Sequence, residues 1–165
     1  MISSADTEPL DILPIFSSIG IRVTFLVPTK TAMQKSIIDA TIPVQEYFIE
    51  TGLHDYQNQN QGNEYKVQKE TYFVHSESLK ETTTSLYRPS TKSGDPRIWF
   101  YDLKSYAEPH NLLAIIVSEN VIYVINCSNY SLMKSIESGS NPILKKLGIS
   151  IDGLSPEARE LLNLL

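Results

Sequence analysis

The chain has 165 residues, 41% hydrophobic and 20% charged, which suits one folded domain with a real core and excludes wholesale disorder, collagen and coiled coil. No apolar run approaches the ~18 residues a membrane helix requires, and Asp6, Glu8 and Asp11 stand where a secretory leader carries cations, so neither a membrane partner nor export is expected. Cys127 is the only thiol and sits beside Ile125 and Asn126, which suits a reducing compartment and a small buried hydrophobe rather than a nucleophile.

The net charge of −5 argues against a nucleic-acid partner only on average. Arg22 to Lys35 holds Arg22, Lys30 and Lys35 and no acid, and Tyr87 to Lys104 holds Arg88, Lys92, Arg97 and Lys104 against Asp95 and Asp102. These 32 residues carry net +5 and the other 133 carry net −10. A basic face on an acidic body, or a plain scatter of charge, both satisfy these numbers.

In chain order, Ile21 to Val27 is β-branched and aromatic between Gly20 and Pro28 and reads as a strand. Lys30 then falls in a loop. Ala40 to Thr51 reads as a short amphipathic helix, with Pro43 near its start, Val44, Tyr47 and Phe48 at i, i+3, i+4, and Gly52 as a stop. His54 to Gly62 is an amide-rich polar loop, and Lys66 to His75 returns to strand. Thr82 to Tyr87 and Arg97 to Tyr101 are strands joined by a turn-rich segment with Pro89, Gly94 and Pro96. Leu112 to Val117 and Val121 to Cys127 flank Ser118-Glu119-Asn120 as a hairpin of buried strands. Leu132, Ile136, Leu144 and Leu147 belong to short helical pieces broken at Gly139 and Pro142, and Ser155 to Leu165 reads as a terminal helix. A mainly β fold follows, a barrel or partly open barrel of antiparallel strands with two or three short helices.

The chain lacks a P-loop, GxGxxG, HExxH, GxSxG or a CxxC pair, and His54, His75 and His110 lack metal-ligand spacing. One nuclease-like fragment remains: Asp102-Leu103-Lys104 with Asp95 upstream, the residue types of a small metal-dependent nuclease. DNA binding explains more residues. The segment Val27 to Ser36 offers Lys30, Thr31, Gln34, Lys35 and Ser36 without an acid, so lysines and hydroxyls can hold phosphates while Gln34 or Lys35 reaches adenine or guanine edges. Arg88 to Arg97 offers Arg88, Thr91, Lys92, Ser93, Asp95 and Arg97, the carboxylate being a possible acceptor from cytosine. Arg22, opening the first basic window, is counted with them.

The run LVPTKTAMQKS, the helix IPVQEYF, then LYRPSTKSGDPRIWFYDL and LLAIIV resemble, over roughly Gly20 to Cys127, the effector domain of EcoRII-type restriction endonucleases. That resemblance implies an open antiparallel DNA-binding pseudobarrel whose two loop arms embrace a duplex from the major groove at a CCWGG-like site without cutting it. It implies a bacterial cytoplasmic protein in which residues 1–165 form the effector domain, with no cofactor of their own. A covalently linked nuclease domain using Mg2+ is expected after Leu165. By position, the arms are Lys30, Thr31, Gln34, Lys35 and Ser36, and Arg88, Thr91, Lys92, Ser93, Asp95 and Arg97. The first arm of EcoRII is rich in glycine and asparagine, and this one has neither. Gln57, Gln59 and Gln61 receive no role, and a protein-interaction module using the terminal leucines is the third reading.

Overall fold

The computed structural model describes residues 16, 20–91 and 93–149. Lys92 and the terminal segment Ser155–Leu165 lie outside the described residues. Seven strands form one sheet: β1 (Thr24–Leu26), β2 (Ile38–Asp39), β3 (Val67–Val74), β4 (Leu79–Tyr87), β5 (Arg97–Phe100), β6 (Leu113–Ser118) and β7 (Val121–Asn126). Four described α-helices accompany them, α1 (Lys30–Lys35), α2 (Ile42–Glu50), α3 (Tyr130–Glu137) and α4 (Pro142–Lys146), with three single-turn 3-10 helices. The sheet runs β1-β6-β7-β3-β4-β5-β2 and curls into a half-barrel, so the mainly β, open pseudobarrel expectation holds.

Two details depart from the sequence reading. The residues after Pro28 form helix α1 rather than a loop, because Thr29 Oγ1 accepts from the Ala32 N–H at 3.0 Å and Ser36 ends the helix in the left-handed region at φ 57°. The sheet is also mixed, since β3 and β7 pair in parallel from Thr71↔Ile122 to Val74↔Ile125. The β4, β5 and β6 strands intervene between those partners, so no short connector announces the pairing.

Alternation along the strands fills the inside of the curl. Phe73, Leu86, Ile98, Phe100, Leu113, Ile115, Ile122 and Val124 join Val44, Tyr47 and Phe48 of α2 in one buried cluster. The opposite face of β6, β7 and β3 carries Ala114, Ile116, Tyr123, Ile125 and Val74, and Leu132, Met133, Ile136, Ile143 and Leu144 of α3 and α4 cover it. The β6–β7 stretches are therefore apolar on both faces, as their unbroken sequence runs demand. Asn129 and Asn141 cap α3 and α4, each accepting from a first-turn N–H. Burial pushes the Cys127 thiol up to about 12, in keeping with a packed, unreactive side chain.

The parallel β3–β7 ladder ends at Tyr106. Its ring stacks on Phe73 with centroids 4.4 Å apart, and its hydroxyl donates to the Val74 carbonyl at 2.6 Å while accepting from the Asn126 N–H at 2.9 Å. Tyr106→Phe strands a backbone donor and an acceptor in the interior and is expected to cost about 1–3 kcal/mol. A lower urea midpoint with unchanged slope checks this.

Candidate nucleic-acid interface

The edge strands β1 and β2 stand at opposite ends of the strand order, yet both line one open cleft of about 640 Å³. The curl therefore brings the two edges face to face, with α1 spanning between them. Phe25, Leu26, Val27 and Pro28 form one side, Ile37, Ile38 and Asp39 the other, and Thr29, Thr31, Ala32, Lys35, Thr41 and Arg97 complete the lining. Of the anticipated residues, Thr31, Lys35 and Arg97 thus share one cavity.

The first arm is ordered by helical spacing. Met33 buries against the core and Ala32 packs beside it, which leaves Lys30, Thr31, Gln34 and Lys35 exposed on the other face. The chain then passes Ser36 straight into β2, where Ile38 pairs with Ile98 and Asp39 with Arg97 of β5. One residue further on, the Ala40 N–H donates to the Pro96 carbonyl at 3.0 Å. The second arm runs directly into β5, so the two arms flank the same short ladder from its two ends.

The second arm is built around Arg88. Its Nε donates to the Gly94 carbonyl at 2.8 Å, Nη1 to the carbonyls of Gln59 at 3.1 Å and Tyr56 at 3.4 Å, and Nη2 to that of Ser93 at 3.4 Å. Arg88 is consequently a clamp inside the arm, with little donor capacity left for a base. Gln61 Nε2 donates to the Ser93 carbonyl at 3.1 Å, and the Gly62 N–H to the Arg88 carbonyl at 2.9 Å. Gly94 has φ 67° and touches Gln61 so closely that a Cβ would collide with the amide, so glycine is required there. Ser93 Oγ donates to Asp95 Oδ1 at 2.7 Å, and Thr91, Ser93 and Asp95 are exposed.

The polar loop after α2 is therefore a buttress. Buried Gln59 donates through Nε2 to the carbonyls of Tyr65 and Leu86, both at 2.9 Å, and its Oε1 lies 2.9 Å from His54 Nε2. Tyr56, buried with its hydroxyl donating to the Arg97 carbonyl at 3.0 Å, ties the same loop to β5. Sequence reasoning assigned these glutamines nothing, although Tyr56 breaking an otherwise polar run was a sign that the loop packs down.

Arg97 and Asp39 form an ion pair at 3.1 Å, with Arg97 23% exposed and Asp39 78%. Asp39 is the cleft residue that the sequence reading missed, since an acid in a two-residue strand carries no pattern. Arg22 is not brought to the cleft: it precedes β1 at the end away from Val27 and pairs with Glu50 at the end of α2. The two acids of the nuclease-like trio stand at opposite ends of β5: Asp95 precedes the strand and Asp102 follows it in a turn. Ser105 first and then Lys80 lower the Asp102 carboxyl below its ordinary range, as surface hydrogen-bond partners do. Among the described residues no group of three or more His, Cys, Asp or Glu gathers to hold a metal, and no helix is long and apolar enough to cross a membrane.

Comparison with protein-family models, curated proteins and solved structures finds no match for this chain.

Two outcomes follow from this geometry. Arg88→Ala opens the second arm and raises its proteolytic cleavage, and Arg88→Lys fails to restore protection because an ammonium cannot reach four carbonyls from one planar fork. Burial lowers the His54 pKa below 6.5, so the fold favours the neutral ring. The stability of the buttress is complete above about pH 6.5 and falls as the pH drops below it. Hydrogen-exchange protection at Tyr65 and Leu86, taken relative to the intrinsic rate at each pH, is expected to fall at about pH 5.5 compared with about pH 7.5, and His54→Gln removes that loss of protection.

Proposed function

We propose that the chain binds double-stranded DNA in a sequence-specific way through the major groove and does not itself cut it. In this reading it is the effector module of a type II restriction endonuclease of EcoRII type, at a CCWGG-like site. Occupancy of the module promotes cleavage elsewhere by a covalently linked nuclease domain, which carries its own Mg2+.

The observation that carries the reading is the placement of two cationic segments, some sixty residues apart in the chain, on either side of the β2–β5 ladder. With side chains, a helix such as the six-residue α1 is about 10–12 Å across, which a major groove about 12 Å wide admits. Its exposed residues divide the work: Lys30 and Lys35 neutralise phosphates, while Gln34 has the paired donor and acceptor that adenine requires. Thr31 and Ser36 add short hydroxyl contacts. On the second arm, Thr91, Ser93 and Asp95 are free to meet the duplex, and Lys92 belongs to the same segment. Arg97, and not Arg88, has terminal donors to offer to a base. The acidic remainder of the chain repels phosphate and so favours one orientation of approach.

Gel shifts with duplexes differing at single base pairs test this. A site-dependent affinity that weakens steeply with salt is expected, and each of Lys30→Ala and Lys35→Ala lowers the salt slope by about 1 without changing sequence preference. A Lys30→Glu/Lys92→Glu chain that binds as the wild type does contradicts the two-armed grip. Plasmid incubated with the chain and magnesium is expected to remain intact, whereas nicking abolished by Asp102→Ala favours the nuclease reading.

A further inference from the structure

We propose that Asp39, which lies outside both arms, is the positioning residue that makes Arg97 a reader of guanine. The inference rests on reading the cleft as a major-groove surface. Asp39 and Arg97 are direct cross-strand partners, so their side chains leave the same face of the sheet and separate only if the ladder breaks. The carboxylate Oδ1 lies 3.1 Å from the buried Nε as an ion pair, and the Nε N–H is not aligned on it as a hydrogen bond, so Asp39 holds the guanidinium by charge alone. Among the described residues, Nη1 and Nη2 of Arg97 have no hydrogen-bond partner.

The donor chemistry makes the consequence specific. A guanidinium is a rigid planar fork, and with a carboxylate on the Nε side its open edge is the terminal Nη1–Nη2 pair. Those parallel N–H groups match guanine O6 and N7. The backbone beneath is fixed by the Tyr56 hydroxyl on the Arg97 carbonyl and by the Ala40 N–H on the Pro96 carbonyl, both at 3.0 Å. Arg88 has no such open edge, because all three of its nitrogens donate to carbonyls.

Asp39 also acts in a second direction. Among the described residues it is the only acid lining the cleft, and it is largely exposed, so its charge repels any phosphate there whatever the sequence. One carboxylate thus sharpens discrimination and weakens indiscriminate binding. A purely structural acid does not move those two quantities in opposite directions.

The experiment uses the full chain and a randomised duplex pool seeded with CCWGG sequences. The duplex that the wild type enriches is compared with a scrambled duplex of the same composition. For Asp39→Asn, binding to the scrambled duplex is expected to tighten while the ratio of the two affinities falls at least about 5-fold, the lower end of one bidentate base contact. Replacing the contacted guanine by 7-deazaguanine, which lacks the N7 acceptor, weakens the wild type but not Asp39→Asn. Asp39→Glu, which keeps the charge, recovers part of the ratio, and Asp39→Asn/Arg97→Ala discriminates no worse than Arg97→Ala alone. An unchanged ratio in Asp39→Asn, or an equal loss on both duplexes, overturns the inference and leaves DNA binding standing. If the wild type enriches no sequence, the reading of the cleft falls first and this inference with it.

Discussion

The two-residue ladder between β2 and β5 is the interaction on which the candidate interface depends. Ile38 against Ile98 and Asp39 against Arg97 are a small amount of sheet, yet they anchor the far edge of a seven-stranded curl. The inward side of that ladder is apolar: Ile38 is buried and Ile98 fully so, which resists shear along the strands. The outward side carries the charged pair. A one-residue slip would turn Arg97 into the core and expose Ile98, so the register that protects the core also presents the guanidinium to the cleft. The packing of the core and the placement of Arg97 at the cleft are fixed by the same four residues.

The second arm shows how a polar loop gains shape without a core of its own. Its carbonyls, which would otherwise turn to water, accept from Arg88 and Gln61, and the neighbouring loop is held in turn by Gln59 and Tyr56. Ordering such a segment upon binding would cost about 0.5–1.5 kcal/mol for each immobilised long side chain. Here much of that ordering accompanies folding, so an arm of this kind meets its partner already formed. The first arm reaches the same end through a different device, a capped single helix anchored by Met33.

Parts of this architecture were legible in the sequence because their signals are local. The β6–β7 hairpin follows from two apolar runs around Ser118-Glu119-Asn120, and Glu119 and Asn120 adopt φ of 51° and 67°, as a tight primed turn requires. Helix α2 was marked by Pro43 and Gly52 at its limits. Helix α1 is too short to show a period, and only Thr29 ahead of it signalled a cap. The parallel β3–β7 pairing is a matter of topology, which three intervening strands conceal. The basic windows drew attention to both arms, but charge counting cannot rank Arg88 against Arg97. Their difference lies in which carbonyls surround each guanidinium, and those come from residues thirty positions away.

Curling one sheet until its edges meet therefore has two effects: it encloses an apolar core and brings Thr31 and Lys35 of the first cationic segment and Arg97 of the second to one cleft. Among the described residues, helices α3 and α4 contribute none to that cleft. Hydrogen exchange of the whole chain, with and without a duplex it retains at low salt, tests this division most directly. The account predicts slowed exchange in residues 27–39 and 88–98 together, with residues 121–147 unchanged. Protection of only one of the two arms, or protection centred on α3 and α4, would contradict it.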